Sequence, residues 1–207
     1  MFLPFIFTMI LAFTFITYHV QVFVYRQNEE LRPKCNGYWF LCNRRYNEIA
    51  HPTTHSSFSV GTNMLANQVK SIEDQLNDGV RAFMWDPAYR DPKKQDNIDL
   101  CLRRCIYMDG GSLQDNLLRI KDFLTIHPRE VITIFLRSVV PSPKIAEVFK
   151  SVGMDKTAYA HPLTAAVWPT MQNLIDLKKR LVVFIDVDVD YSRWPWYVSY
   201  GFSIIFL

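Results

Sequence analysis

The sequence predicts a mixed α/β fold built on a parallel sheet with crossover helices. Two observations carry this prediction. Short apolar runs recur along the chain, as in residues 131–136 (VITIFL) and 181–185 (LVVFI), and continuous runs of this kind suit strands buried on both faces. Segments with helically spaced apolar residues alternate with them. That alternation fits either a barrel or an open doubly wound sheet. No G-x-G-x-x-G follows any strand, so a dinucleotide-binding sheet finds no support.

The chain has 207 residues, of which 49% are hydrophobic. With the first 25 set aside, about 180 remain, enough for one domain with a sizeable core. A complete (β/α)₈ barrel typically needs about 250. The net charge of +3, from 23 Lys+Arg and 20 Asp+Glu, is too small to imply nucleic acid as a partner.

Residues 1–25 contain no Asp, Glu, Lys or Arg and are long enough to span a bilayer. They read as a signal peptide or a signal-anchor transmembrane helix. No basic n-region precedes them and no A-x-A-like triplet follows, which favours the uncleaved anchor. Arg26, Arg32, Lys34, Arg44 and Arg45 would hold the following side in the cytoplasm. The paired cysteines argue for the lumenal or extracellular side and outweigh them, which makes the protein secreted or membrane-anchored on that side.

Residues 26–47 form a polar lead-in. The four cysteines fall into local couples, Cys35/Cys42 and Cys101/Cys105. Three connectivities are open in principle. Two local disulfides close short loops, and the spacings, with no His beside either pair, suit zinc poorly.

The first strand is expected from about 49 to 54, ending at His55. Leu65, Val69, Ile72 and Leu76 mark a helix over 64–77, with Gly79 as its stop. Residues 80–85 read as a buried strand, 86–97 as a polar loop and 98–102 as a third strand. Ser112 opens a capping box with Asp115, and a helix follows to His127-Pro128. After the strand at 131–136, Ser142-Pro143 opens a helix through 152. Thr170 caps a helix through 179, and the strand at 181–185 follows. Residues 191–200 read as aromatic and irregular, and 202–207 as a last apolar run. Function in a barrel sits at the C-terminal ends of the strands. Those ends carry His55, Asp86, Leu102–Arg104, Arg137 and Asp186.

The lead-in and first strand, CNGYWFLCNRRYNEIAHPTTHSSF, resemble those of the fungal-type, secreted phospholipase C-like phosphodiesterases. QLNDGVRAF, LCLRRC, DGGSLQDNL, HPREVITIFL and VWPTMQNLIDLKKRLVVFID follow in that family's order and spacing. The resemblance runs from about Cys35 to Asp186. It implies a TIM-barrel-like phosphodiesterase fold over 48–207, truncated after five to six strands, related to phosphatidylinositol-specific phospholipases C. It implies a phospholipid or related phosphodiester as substrate and a membrane surface as the place of action.

The family's chemistry is acid–base cleavage. One histidine takes the proton of the attacking hydroxyl and a second protonates the leaving oxygen. Calcium, or in bacterial relatives an arginine, offsets phosphoryl charge, and by the resemblance that arginine is absent here because Asp86 occupies its place. By resemblance, His55 is the general base. Ser56 stands where the family has Asn or Asp. Met84 and Asp86 match two acidic metal-binding positions, of which only Asp86 keeps an oxygen ligand for Ca²⁺; otherwise no cofactor is expected. Leu102 stands where the second histidine belongs and cannot donate a proton. Arg137 and Arg103 are candidates for phosphate contact.

Each assignment has a plainer rival. His55 could be a loop histidine, Asp86 a turn former before Pro87, Arg103 and Arg104 a solvated pair, and Arg137 half of a surface ion pair. Asp186, Asp188 and Asp190 alternate at a strand exit without the glycine and spaced glutamate of a calcium loop. His51 and His161, each beside a proline, read as structural. Two functions follow: a phosphoric diester hydrolase, or a non-catalytic relative that binds a head group or a partner at a membrane. The apolar ending YGFSIIFL adds the expectation of a truncated gene model with an open sheet edge.

Overall fold

A computed structural model describes residues 3–102, 104–162 and 167–199. The chain divides into two compact units, Met1–Lys34 and Cys35–Leu207. The first is a single helix, α1 (Leu3–Leu31). Among the described residues no helix is long and apolar enough to cross a membrane, so the expected transmembrane anchor gains no support.

The second unit is organised by a five-stranded sheet. Its strands are β1 (Thr53–Thr54), β2 (Ala82–Trp85), β6 (Ile132–Leu136), β7 (Leu181–Ile185) and β8 (Tyr197–Ser199), in that spatial order. All four pairings are parallel. Successive side chains alternate between faces. Phe83, Trp85, Ile132, Ile134, Leu136, Leu181, Val183 and Ile185 point one way, into a core shared with residues of α2 (Ile72–Asn77), α3 (Leu113–Ile126) and α4 (Ser142–Ser151). Val182, Phe184 and Val198 turn the other way and pack with Tyr46, Trp168 and α5 (Met171–Asp176). A sheet covered on both faces requires apolar side chains at every strand position, which is why the runs are continuous rather than alternating.

The segment 98–102, expected among the parallel strands, is instead β4 (Ile98–Cys101), the centre of a separate antiparallel sheet. Its neighbours are β3 (Pro87–Tyr89), inside the expected loop, and β5 (Asp109–Ser112), which was not expected at all. Parallel neighbours need a crossover of about a dozen residues or more. Here the chain turns back directly after β3, so antiparallel pairing is the one available.

The expected helix over 64–77 is shortened to α2. Ser71 caps it, accepting from the Asp74 amide at 3.1 Å. The loop before it is held by Ser59, whose carbonyl accepts from the amides of Asn67 and Gln68. The helical spacing of Leu65 and Val69 therefore describes exposed loop residues. Similarly, α5 ends at Asp176 because Lys178 enters the left-handed region and the Lys179 amide closes on the Leu174 carbonyl. Gly79 ends α2 as expected, and Ser112 caps α3 through the Asp115 amide at 2.9 Å. β8 falls in the stretch read as irregular. The final apolar run lies outside the described residues, as does Arg103.

Both local disulfides form, Cys35–Cys42 and Cys101–Cys105. The first staples the lead-in under the sheet. There the Asn36 side chain exchanges hydrogen bonds with the Val131 backbone at 2.7 and 3.0 Å. The Tyr46 hydroxyl and Thr133 Oγ1 share a buried hydrogen bond of 2.7 Å. Tyr46 is stacked between His51 and Trp168, both at 4.7 Å, and His161 lies on Trp168 at 4.1 Å.

His51 Nε2 donates to the Tyr46 carbonyl at 3.2 Å. Burial pushes its pKa below the ordinary 6.5, against a smaller rise from that hydrogen bond. Below that value the unfolded chain binds a proton that the folded ring resists, so stability falls as pH drops from about 6.5. The melting temperature should be lower at pH 5 than at pH 7, and the difference should shrink in His51→Gln. An unchanged difference would show that His51 does not contribute.

Candidate active site

The side-chain alternation that fills the core also builds the site. On the face opposite α3 and α4, the residues of β2, β6 and β7 run Ala82-Met84, Thr133-Phe135 and Val182-Phe184, and these are paired in register. One step past the strand ends, the same face presents Asp86, Arg137 and Asp186. His55 follows β1 directly. Four residues expected at strand ends therefore meet in one cleft of about 480 Å³, which Leu102 and Val139 also line.

Arg137 and Asp86 form its polar centre. Nε and Nη2 of Arg137 both reach Asp86 Oδ1 at 2.7 Å. Ser56 Oγ donates to Asp86 Oδ2 at 3.1 Å. The guanidinium remains partly exposed and keeps further N–H groups for a ligand. Asp186 Oδ1 accepts the Ser138 amide at 2.8 Å, which fixes the turn after Arg137.

His55 is exposed at the cleft, and the chain on either side of it is tightly held. Ser56 is fully buried with φ +43, a left-handed conformation that Ser adopts at some cost. Asn and Asp enter that region more readily, which gives a physical reason for the residue types the resemblance places there. The Ser57 amide donates to the Met84 carbonyl, anchoring the turn to β2. Gln75, buried on the apolar stripe of α2, donates to the carbonyls of Ser57 and Lys70 at 2.9 and 2.8 Å. It also accepts from Thr54 Oγ1 at 2.7 Å. Sequence reading missed Gln75. Its signal was a polar residue between Ile72 and Leu76 at core spacing.

The donor set does not fit calcium, which takes about six to eight oxygen ligands. Both Asp86 oxygens are engaged, and a guanidinium already supplies positive charge beside them. The cluster Asp99, Cys101 and Cys105 has both sulfurs tied in the disulfide. Asp190 is used in a turn, where hydrogen bonds from Ser192 hold its carboxyl below the usual range. Leu102 lines the cleft, and among the described residues of this unit His55 is the one histidine that does. His51 and His161 belong to the stack under the sheet, and His127 caps the end of α3.

Comparison with known proteins gives the family and the fold. The family model described as PI-PLC X 1 matches residues 41–206. A PI-PLC X domain-containing protein of Arthroderma benhamiae is 33% identical over 178 residues, covering 83% of this chain and 57% of the relative. An uncharacterized secreted protein of the same organism is 28% identical over 176 residues, covering 82% and 39%. The phosphatidylinositol-specific phospholipase C of Listeria monocytogenes shares the fold, with a TM-score of 0.53 at 18% identity over 70% of this chain and 53% of that one. The chain thus spans about half the length of these proteins, and it shares the TIM-barrel-like fold of the Listeria enzyme.

Removing the Gln75 amide leaves buried carbonyls without donors, which costs about 1–3 kcal/mol. Gln75→Ala should lower the urea midpoint accordingly. A midpoint equal to that of the parent would remove Gln75 from the support of His55.

Proposed function

Because the chain belongs to the PI-PLC X family, we propose that it is a phosphoric diester hydrolase acting on a phospholipid or a related diester. The observation that supports this most is the convergence of His55, Asp86, Arg137 and Asp186 on one cleft at the strand ends. In this reading His55 takes the proton of the attacking hydroxyl as its oxygen bonds to phosphorus. Arg137, held by Asp86, faces the phosphoryl oxygens and offsets the charge that develops on them. The bond to the leaving oxygen breaks, that oxygen takes a proton from solvent water, and the proton held by His55 returns to the hydroxide so formed. Asp86 serves as a positioning residue for the arginine, and no step requires a metal. The secreted relative and the two disulfides support release outside the cytoplasm.

Leu102 supports a second reading. The cleft has one imidazole where acid–base cleavage uses two, and loss of one partner lowers rate by about 10²–10⁴-fold. A chain with this cleft and no turnover would be a binding relative that recognises a phosphorylated head group at a membrane surface.

The experiment is release of phosphorylated head group from phosphatidylinositol vesicles by the full chain, with calcium and with chelator. The hydrolase reading predicts slow turnover that falls at least 10²-fold in His55→Ala and is unmoved by chelator. Turnover that survives His55→Ala would overturn the assignment of the base. Vesicle binding without turnover, by a folded sample, would favour the second reading.

A further inference from the structure

Beside His55, the described lining of the cleft offers no second group that can part with a proton. Both oxygens of Asp86 accept hydrogen bonds, from Arg137 and from Ser56. Asp186 Oδ1 accepts the Ser138 amide. Carboxylates in this role accept and do not donate. The Ser138 hydroxyl donates to the Val140 carbonyl and accepts from the Val140 amide. Cys101 is tied in a disulfide and has no thiol proton. The guanidinium of Arg137 keeps its protons.

The rest of the lining is apolar: Pro87, Ala88, Leu102 and Val139. Leu102 packs against the core from the loop that the Cys101–Cys105 disulfide closes. Arg104, on the same loop, lines a groove that shares Ala88 and Val139 with the cleft. It adds positive charge near that wall and no transferable proton.

These groups restrict the leaving group. Once the attacking oxygen has bonded to phosphorus, His55 already holds the proton it removed. The leaving oxygen then departs unprotonated. A localised alkoxide beside apolar side chains is costly. An anion whose charge spreads over a ring, or sits on sulfur, needs no proton to leave.

We propose that the cleft selects its diester by the leaving group. It cleaves esters of acidic alcohols, aryl esters above all, and is slow on esters of simple alkyl alcohols, glycerol lipids included. This rests on the hydrolase reading and narrows its substrate class. The P–O bond breaks with its electron pair on the leaving oxygen, which carries the charge into solvent and takes a proton from water there. The proton on His55 returns to the hydroxide so formed. Leu102, the largest apolar side chain in the lining, sets the preference.

The test is kcat/KM of the full chain on inositol phosphodiesters that differ only in the leaving group. These are the para-nitrophenyl, phenyl and hexyl esters, and the hexyl ester with sulfur in place of the leaving oxygen. The nitrophenyl ester should be favoured over the hexyl ester by at least about 10²-fold, the lower end of what a general acid contributes. The sulfur ester should outrun its oxygen counterpart by a similar factor, although both carry the same alkyl group. Leu102→His should shrink both ratios by supplying a donor. Leu102→Met, which keeps the wall apolar, should preserve them. Each ratio is taken within one sample, so a change in folded fraction cancels.

Equal rates on the nitrophenyl and hexyl esters, with no gain from sulfur, would show that the protein protonates the leaving oxygen. That would overturn the inference while leaving the hydrolase reading in place. Ratios that Leu102→His leaves unmoved would overturn the assignment of the preference to Leu102. Failure to turn over any of the esters, the nitrophenyl ester included, would defeat the hydrolase reading and this inference with it.

Discussion

The hydrogen-bonded pair of Asp86 and Arg137 is the constraint around which the cleft is arranged. Asp86 follows β2, Arg137 follows β6, and Ser56 from the β1 turn completes the link. Three neighbouring strand ends are thereby held at one level. A partly exposed ion pair contributes little to stability by itself. Its consequence is positional: the guanidinium is fixed in the cleft with N–H groups still available, and the carboxylate that fixes it is not free to collect a metal.

Much of this was legible in the sequence because strand alternation is a strict period. Once 131–136 and 181–185 are read as strands, Arg137 and Asp186 follow as the next residues past their ends, and Asp86 takes the same place after β2. The caps Ser112 and Thr170 were legible because their hydroxyls satisfy specific amides. The antiparallel sheet β3–β4–β5 was not. Asp109–Ser112 reads DGGS, which has no strand propensity, and its pairing is set by the hairpin rather than by its own residues. The loop over 61–70 carries apolar residues at helical spacing, and the decisive Ser59 contacts are tertiary. Gln75 was visible as a polar residue in an apolar stripe, but its partners, the backbone of the His55 turn, appear only in the fold.

Local strain and local support meet beside His55. Ser56 occupies a left-handed conformation while fully buried, and Gln75, Thr54 and the β2 backbone restrain the chain around it. A histidine so placed is exposed yet carried on a fixed backbone, which suits proton transfer to a bound ligand. The same cleft contains an aliphatic side chain, Leu102. In the hydrolase reading proposed above, proton removal is given to His55, and no group among the described residues is given proton return.

That difference is tested most directly by the pH dependence of kcat/KM on a soluble phosphatidylinositol. A single imidazole base predicts a rate that rises with pH through one ionisation and then holds level. A bell-shaped profile with a second, alkaline limb would reveal an essential acid that the cleft does not display. That result would contradict the one-histidine account.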